Sequence, residues 1–296
     1  MAAAPVADIR ELQATGQVAR RQRVSRMSRY FLLGLSLLGV FALVVLGVDT
    51  ALNGASRLSL DFFTSYPSRF PDQAGLRSSL IGSVWVLGLT IAVVVPIAIG
   101  TAIWIEEFAP QNVLLEIVKI NLSNLAGVPS IIYGVLGLAV FVRFFGLGSS
   151  ILAGSLTLFL MILPMTVIAA QEAIRQVPLS IRQGSLALGA TRWETVWSHV
   201  LPGALPGIIT GVILAIARAA GETAALIMIG AFTFIAFDNT SWNDSFTTMP
   251  IQIYNWTVRP QEGFRQNAAA GIIVLMVVVL TFNLSAAILR ERFRRN

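Results

Sequence analysis

The residues of this sequence best suited to chemistry are Arg218 and Glu222, set inside an otherwise apolar stretch at 208–237. On a helix, residues four apart share one face. Arg218 would lie about 15 Å beyond Ile208 at 1.5 Å per residue, near the middle of a membrane. An arginine there costs about 2.5–3.5 kcal/mol on insertion scales, so it should face a partner or a wet cavity. Two readings stand. Either the pair neutralises itself and pins helices together, or the guanidinium meets a passing oxyanion through paired N–H donors while Glu222 tunes its availability. A conduit must release what it binds, and one arginine partly offset by a carboxylate suits that. Thr223, Thr210 and Asn124 could line the same path, although Thr and Asn in helices commonly bond their own backbone.

Other chemistries lack their parts. The chain has no cysteine and one histidine, His199, which removes disulfides, thiolate sites and most imidazole-based triads and metal sites. The one lysine, Lys119, follows Val118, so a phosphate-binding G-x-x-x-x-G-K-[ST] loop cannot form. A non-catalytic protein without cofactor or metal is expected, and any ATP hydrolysis belongs to a separate subunit. An intramembrane enzyme would need a nucleophile–base set. A stand-alone secondary transporter or channel would predict inverted repeats or a fuller set of coupling charges. Neither is visible.

Over the whole chain, the 296 residues are 55% hydrophobic and 12% charged, with mean hydropathy +0.75. Soluble domains carry about 25% charged residues, so the chain reads as an all-α membrane protein. Apolar runs at 31–48, 78–105, 122–145, 151–170, 208–237 and 268–289 give six spans, preceded by a basic tail at 1–29. The long polar segment before the first run argues for a retained helix and against a cleaved leader. Lys and Arg cluster on the side of the termini, while Arg57, Arg69, Arg77, Arg143, Arg259 and Arg265 lie opposite. The positive-inside bias therefore makes both termini cytoplasmic and replaces nucleic acid with lipid as the explanation of the net charge of +6. Arg77 and Arg143 would mark the outer boundary.

Between runs four and five lies a polar, amphipathic insert. Pro178 and Gly189 bracket one short helix, and Thr191 with Glu194 reads as a capping box opening a second, which Pro202 would end. The result is a helix–glycine turn–helix hairpin at 179–200, either lying on lipid or docking a soluble partner. Gly203, Gly207 and Gly211 form a small-x-x-x-small ladder for close helix packing.

Gly189, followed after nine residues by His199, Val200 and Leu201-Pro202, resembles the cytoplasmic loop signature of ABC importer permeases. Gln183-Gly184-Ser185 stands where that family has Glu-Ala-Ala, and His199 replaces its Ile. GVPSIIYGVLGLAVF (127–141), ALGATRWETVW (187–197), LPGALPGIITGVILAIARAAGETAAL (201–226) and MPIQIYNW (249–256) resemble the A-type permease of bacterial phosphate-specific transporters. The resemblance implies a type I (MetI-like) importer fold with coupling helices in the hairpin, in the bacterial cytoplasmic membrane. Molybdate or sulfate is the alternative cargo. It further implies a homologous companion permease forming a heterodimer, and a dimer of ATPase subunits. That dimer would meet Gln183, Gly184, Ser185, Leu188, Gly189, Ala190, Thr191 and Glu194. An extracytoplasmic phosphate-binding protein would dock at the outer loops 49–76 and 238–267.

Overall fold

A computed structural model describes residues 17–231 and 234–295. It is helical throughout; among the described residues the one β-type pairing is an isolated antiparallel bridge between Ser150 and Ser245. The chain divides into two compact units, Met1–Leu52 and Asn53–Asn296. Most of the described part of the first is α1 (Gln17–Gly54), which carries Arg20 to Arg29 and the first apolar run in one helix. Its side chains, among them Phe31, Leu38, Phe41 and Leu46, are exposed all round, as expected of a span that meets lipid or another chain. The first sixteen residues of the basic tail, including Arg10, lie outside the described residues.

The second unit is built around α6 (Ile151–Arg175), whose N-terminus is capped by Ser150 and which contains Pro164. Against it pack α3 (Arg77–Ile103, then a π-turn Trp104–Phe108) and α9 (Leu201–Ala220). Small and hydroxyl residues set these contacts. Thr90 Oγ1 donates to the Val86 and Ser155 carbonyls at 2.7 and 3.2 Å, and Ser155 Oγ reaches Val86 O at 3.2 Å. Gly207 and Gly211 face Ala173 and Ala169 of α6, where an added Cβ would fall at 2.7 and 2.6 Å. Interhelical hydrogen bonds and close backbone approach are what hold helices together where lipid is as apolar as leucine. One buried cluster joins Val94, Tyr133, Leu158 and Phe246, and a second joins Ile105, Val167, Ile174, Val200 and Ile208.

Five helices among the described residues are long and apolar enough to cross a membrane. A sixth arises if α4 (Val113–Ala126) and α5 (Ser130–Gly137, then a π-segment Leu138–Phe144) form one span, although they meet at 101°. This corrects the expectation of a plain span at 122–145. Gly127 caps α4 and Pro129 opens α5, and a proline drives its predecessor out of the helical region.

Two further expectations are corrected. Pro202 does not end the second hairpin helix. α8 (Arg192–Thr195) runs through a π-turn, Val196–Val200, directly into α9. The wider turn makes room for a ring that would otherwise strike the carbonyl four residues back. The run 208–237 is not one helix either: α9 stops at Ala220, Gly221 caps it, and α10 (Ala224–Met228) follows.

The segment 238–267 is more than a surface loop. It holds α11 (Met249–Thr257), which is largely buried. Trp256 packs against Phe62 of α2 (Leu60–Thr64) with the rings tilted and 5.7 Å between centroids. Helix α12 (Glu262–Arg295) then closes the fold.

The packing makes a direct prediction. Gly211→Leu should cost about 1–3 kcal/mol by overpacking and lower the thermal midpoint in detergent. Gly39→Leu in α1, where an added Cβ meets nothing within 4 Å, should leave it unchanged.

Candidate translocation and coupling site

Arg218 is exposed and has neither an ion-pair nor a hydrogen-bond partner among the described residues. It shares one face of α9 with Gly203, Gly207, Gly211 and Leu214, which precede it at helical spacing. Toward the start of α9 that face floors an open groove of about 610 Å³ with Gly203, Gly207, Thr210 and Gly211, rimmed by Ile181 and Arg290. Because α9 begins at Leu201, Arg218 lies ~26 Å along it at 1.5 Å per residue. It is therefore near the far end of the helix and not midway.

The expected Arg218–Glu222 pair is not made. Glu222 lies beyond the cap, and its Oε1 accepts from the Ala225 N–H at 3.2 Å. The i,i+4 geometry required a helix through Gly221, and the helix ends there, so the carboxylate turns to the Ala225 N–H in the first turn of α10. Of the other path candidates, Thr223 Oγ1 lies 3.4 Å from Gly221 O and Thr210 Oγ1 donates to Pro206 O at 2.8 Å. Asn124 is exposed in the last turn of α4.

The hairpin forms by local chemistry. Helix α7 (Leu179–Ala187) ends at Leu188, and Gly189 turns the chain with φ +90°, a conformation that favours glycine. Thr191 Oγ1 accepts from Glu194 N–H at 3.2 Å while Glu194 Oε2 accepts from Thr191 N–H at 2.7 Å, completing the capping box. Leu188 is 91% exposed at the tip. Gln183, Gly184, Gly189, Thr191 and Glu194 are exposed and Ala190 half-buried. Ser185 is the exception: it is buried, its hydroxyl 2.9 Å from Thr195 Oγ1, and it latches the two arms instead of facing outward. Trp193 and Trp197 stack in parallel at 5.7 Å.

The base of the hairpin carries contacts that sequence reasoning missed. Glu106 Oε1 accepts from Gln171 Nε2 and Arg175 Nη2 at 3.0 and 2.8 Å, and Glu106 Oε2 from Arg175 Nε at 2.9 Å. Its neighbour Glu107 accepts from Arg182 Nε and Nη2 at 3.0 and 2.7 Å. The doublet Glu106-Glu107 beside an arginine-bearing insert was the available signal, but nothing in the sequence pairs them.

At the opposite end of this unit, Arg77 forks onto Asp238 through Nε at 3.0 Å and Nη2 at 2.5 Å, with its guanidinium over the Tyr66 ring. Arg77 is thus a tie between loops. The hydrogen bond from Arg77 holds the Asp238 carboxyl below its ordinary range. Of the aromatic residues in the segment 238–267, Phe246 and Trp256 are buried, while Trp242 and Tyr254 are exposed.

Residues 95–295 match the family of binding-protein-dependent transport system inner membrane components. The chain belongs to that family. A probable ABC transporter permease, YqgI of Bacillus subtilis, is 35% identical over 263 residues, covering 84% of this chain and 87% of its own. The phosphate transport system permease PstA 1 of Mycobacterium tuberculosis is 32% identical over 223 residues, covering 74% and 72%. Among solved structures, a bacterial alginate ABC transporter in complex with a pentasaccharide-bound periplasmic protein superposes with TM-score 0.66 over 94% of this chain and 98% of that one. Its identity is 14%, so it shows the fold. This is a multi-pass ABC permease with the all-α architecture of importers.

The Asp238 tie predicts a pH dependence. A carboxyl held low when folded stabilises above its unfolded value, and that contribution is lost as pH falls through the folded value. The thermal midpoint of the wild type should therefore drop in acid below the ordinary carboxylate range. In Asp238→Asn that part of the drop should vanish, with a lower midpoint at neutral pH.

Proposed function

We propose that this permease is the non-catalytic transmembrane subunit of an ATP-driven importer of inorganic phosphate. The observation that carries the reading is Arg218, a guanidinium with no anionic neighbour among the described residues, presented on a small-residue face of α9. A planar fork of N–H donors matches a tetrahedral oxyanion, and a single such contact is weak enough to release. With Glu222 engaged at the α9–α10 break, Arg218 is available to a passing anion. Thr223 beside it and Asn124 on α4 are candidates for the same path. Phosphate permeases among the relatives, covering most of the chain, support the choice of cargo.

The assembly follows from the same reading. A homologous companion permease would complete the path against the exposed face of α9. The hairpin at 179–200 would seat on an ATPase dimer through Leu188 and its exposed neighbours. The distribution of Lys and Arg supports a cytoplasmic hairpin and termini. The exposed Trp242 and Tyr254 offer a surface to an extracytoplasmic phosphate-binding protein.

The test is ATP-dependent uptake of labelled phosphate, sulfate and molybdate in proteoliposomes carrying the full importer. Wild type should take up phosphate in preference to the others. Arg218→Ala should cut phosphate uptake on the order of tenfold or more, the size of a charge-assisted hydrogen bond, with assembly intact. Normal uptake by that variant would reject the role of Arg218, and no phosphate uptake by wild type would reject the cargo.

A further inference from the structure

The Arg182 side chain is 17% exposed and its partner Glu107 is 9% exposed, so this pair is withdrawn from water. The guanidinium makes four hydrogen bonds. Nε and Nη2 go to Glu107 Oε1, Nη1 to Val177 O at 2.6 Å, and Nη2 also to Ile174 O at 3.0 Å. One side chain from α7 thereby grips the π-turn that ends α3 and two carbonyls where α6 ends. Ile174 O also accepts from the Val177 N–H at 3.2 Å, and the carbonyl end of a helix carries the negative end of its dipole, so a cation suits this place.

The position of this clamp matters. Arg182 directly precedes Gln183-Gly184-Ser185, on the helix that leads to the exposed tip at Leu188. The other arm is held separately by Ser185 with Thr195 and by the continuous helix from α8 into α9. A push on the hairpin tip thus has two exits. Through α8 it reaches α9 along an unbroken helix. Through α7 the chain breaks at Val177-Pro178, and the covalent link is a turn that can bend. The second ion pair across this base, Arg175 with Glu106, leaves the arginine 45% exposed, and exposed pairs are weak struts. Breaking a buried pair on one side strands a charge and is costly, which makes the Arg182 contact stiff.

We propose that Arg182 and Glu107 are positioning residues for coupling, locking α7 to the ends of α3 and α6 so that motion of the docked hairpin moves these helices as one body. The inference rests on the reading of the hairpin as the ATPase-docking element. It assigns the transmission of force to a pair neither of whose members touches cargo or nucleotide.

The test uses the complete reconstituted importer. Phosphate moved per ATP hydrolysed is compared for wild type, Glu107→Gln, Arg182→Gln and Arg182→Lys. Both glutamine variants should assemble and hydrolyse ATP, yet move about tenfold less phosphate per ATP, the loss expected from one charge-assisted contact. Arg182→Lys, which keeps the charge without the fork, should recover part of it. A merely structural role would lower the amount of complex and leave the ratio unchanged. Should Arg182→Gln fail to assemble, the near-isosteric Glu107→Gln carries the test.

A second readout does not depend on cargo. The chain has no native cysteine, so spin labels can be placed by Gln111→Cys and Ser180→Cys, both at exposed positions. In the wild-type background, with cysteine-free partner subunits, the distance should be narrow and equal in nucleotide-free and ATP-trapped complexes. In Glu107→Gln it should broaden or shift with ATP. A wild-type transport ratio in Glu107→Gln, or a wild-type label distance that changes between the two states, would overturn the clamp. If wild type moves no phosphate, the cargo reading falls and the label distances alone decide the clamp.

Discussion

Helices in lipid gain nothing by merely sorting apolar from polar side chains, so they must be held by close contact and by hydrogen bonds that lipid cannot supply. In this permease that requirement falls on α6. Ala169 and Ala173 meet Gly207 and Gly211 of α9, and Ser155 exchanges hydroxyl bonds with α3. Gly137 of the segment after the bend leaves room for Thr157. Every element that carries chemistry is therefore registered to the same helix. Arg218 continues the small-residue face of α9 beyond those contacts, two turns past Gly211, where it is exposed.

Breaks in helices occur where the polar backbone groups they release can be satisfied, because an unpaired group in hydrocarbon is costly. The break at Gly221 is served by Glu222, whose carboxylate accepts from Ala225. The bend after Ala126 is closed by Tyr133, whose hydroxyl donates to Leu125 O at 2.8 Å. The gap between α6 and α7 is served by Arg182. In each case a side chain answers a backbone demand, and of the three only Glu222 reads as functional in the sequence. Arg218 stands apart because it answers none, which is why it carries the proposed contact with cargo.

Ion pairs at the two ends of the second unit differ in how far they are withdrawn from water, and the difference sorts their roles. Arg77 with Asp238 is 42% and 31% exposed, a tie between the start of α3 and the chain after α10 that solvent can screen. Arg182 with Glu107 is withdrawn and forked, and it also holds two carbonyls. The first suits loops that meet a partner from solution. The second suits a joint that must not yield.

The sequence by itself determined what depends on composition and on neighbours within a turn. The apolar runs required a membrane protein, since so few charges cannot solvate a soluble surface. Gly189 and the Thr191–Glu194 capping box required a hairpin, because a left-handed turn and an i,i+3 cap are local events. The Gly203, Gly207 and Gly211 ladder announced close packing without naming its partner. Tertiary structure decided the rest. The Arg218–Glu222 pairing was inferred from helical spacing, yet the chain leaves the helix at Gly221, and the carboxylate takes the Ala225 N–H of α10 instead. Ser185 looked like part of an outer surface until the return of α8 buried it against Thr195. Arg182 and Glu107 are 75 residues apart, and only the packing of α3 on α6 brings their helix ends together. Contacts between residues so far apart are set by which faces of which helices fit, and no local pattern in one chain encodes that fit.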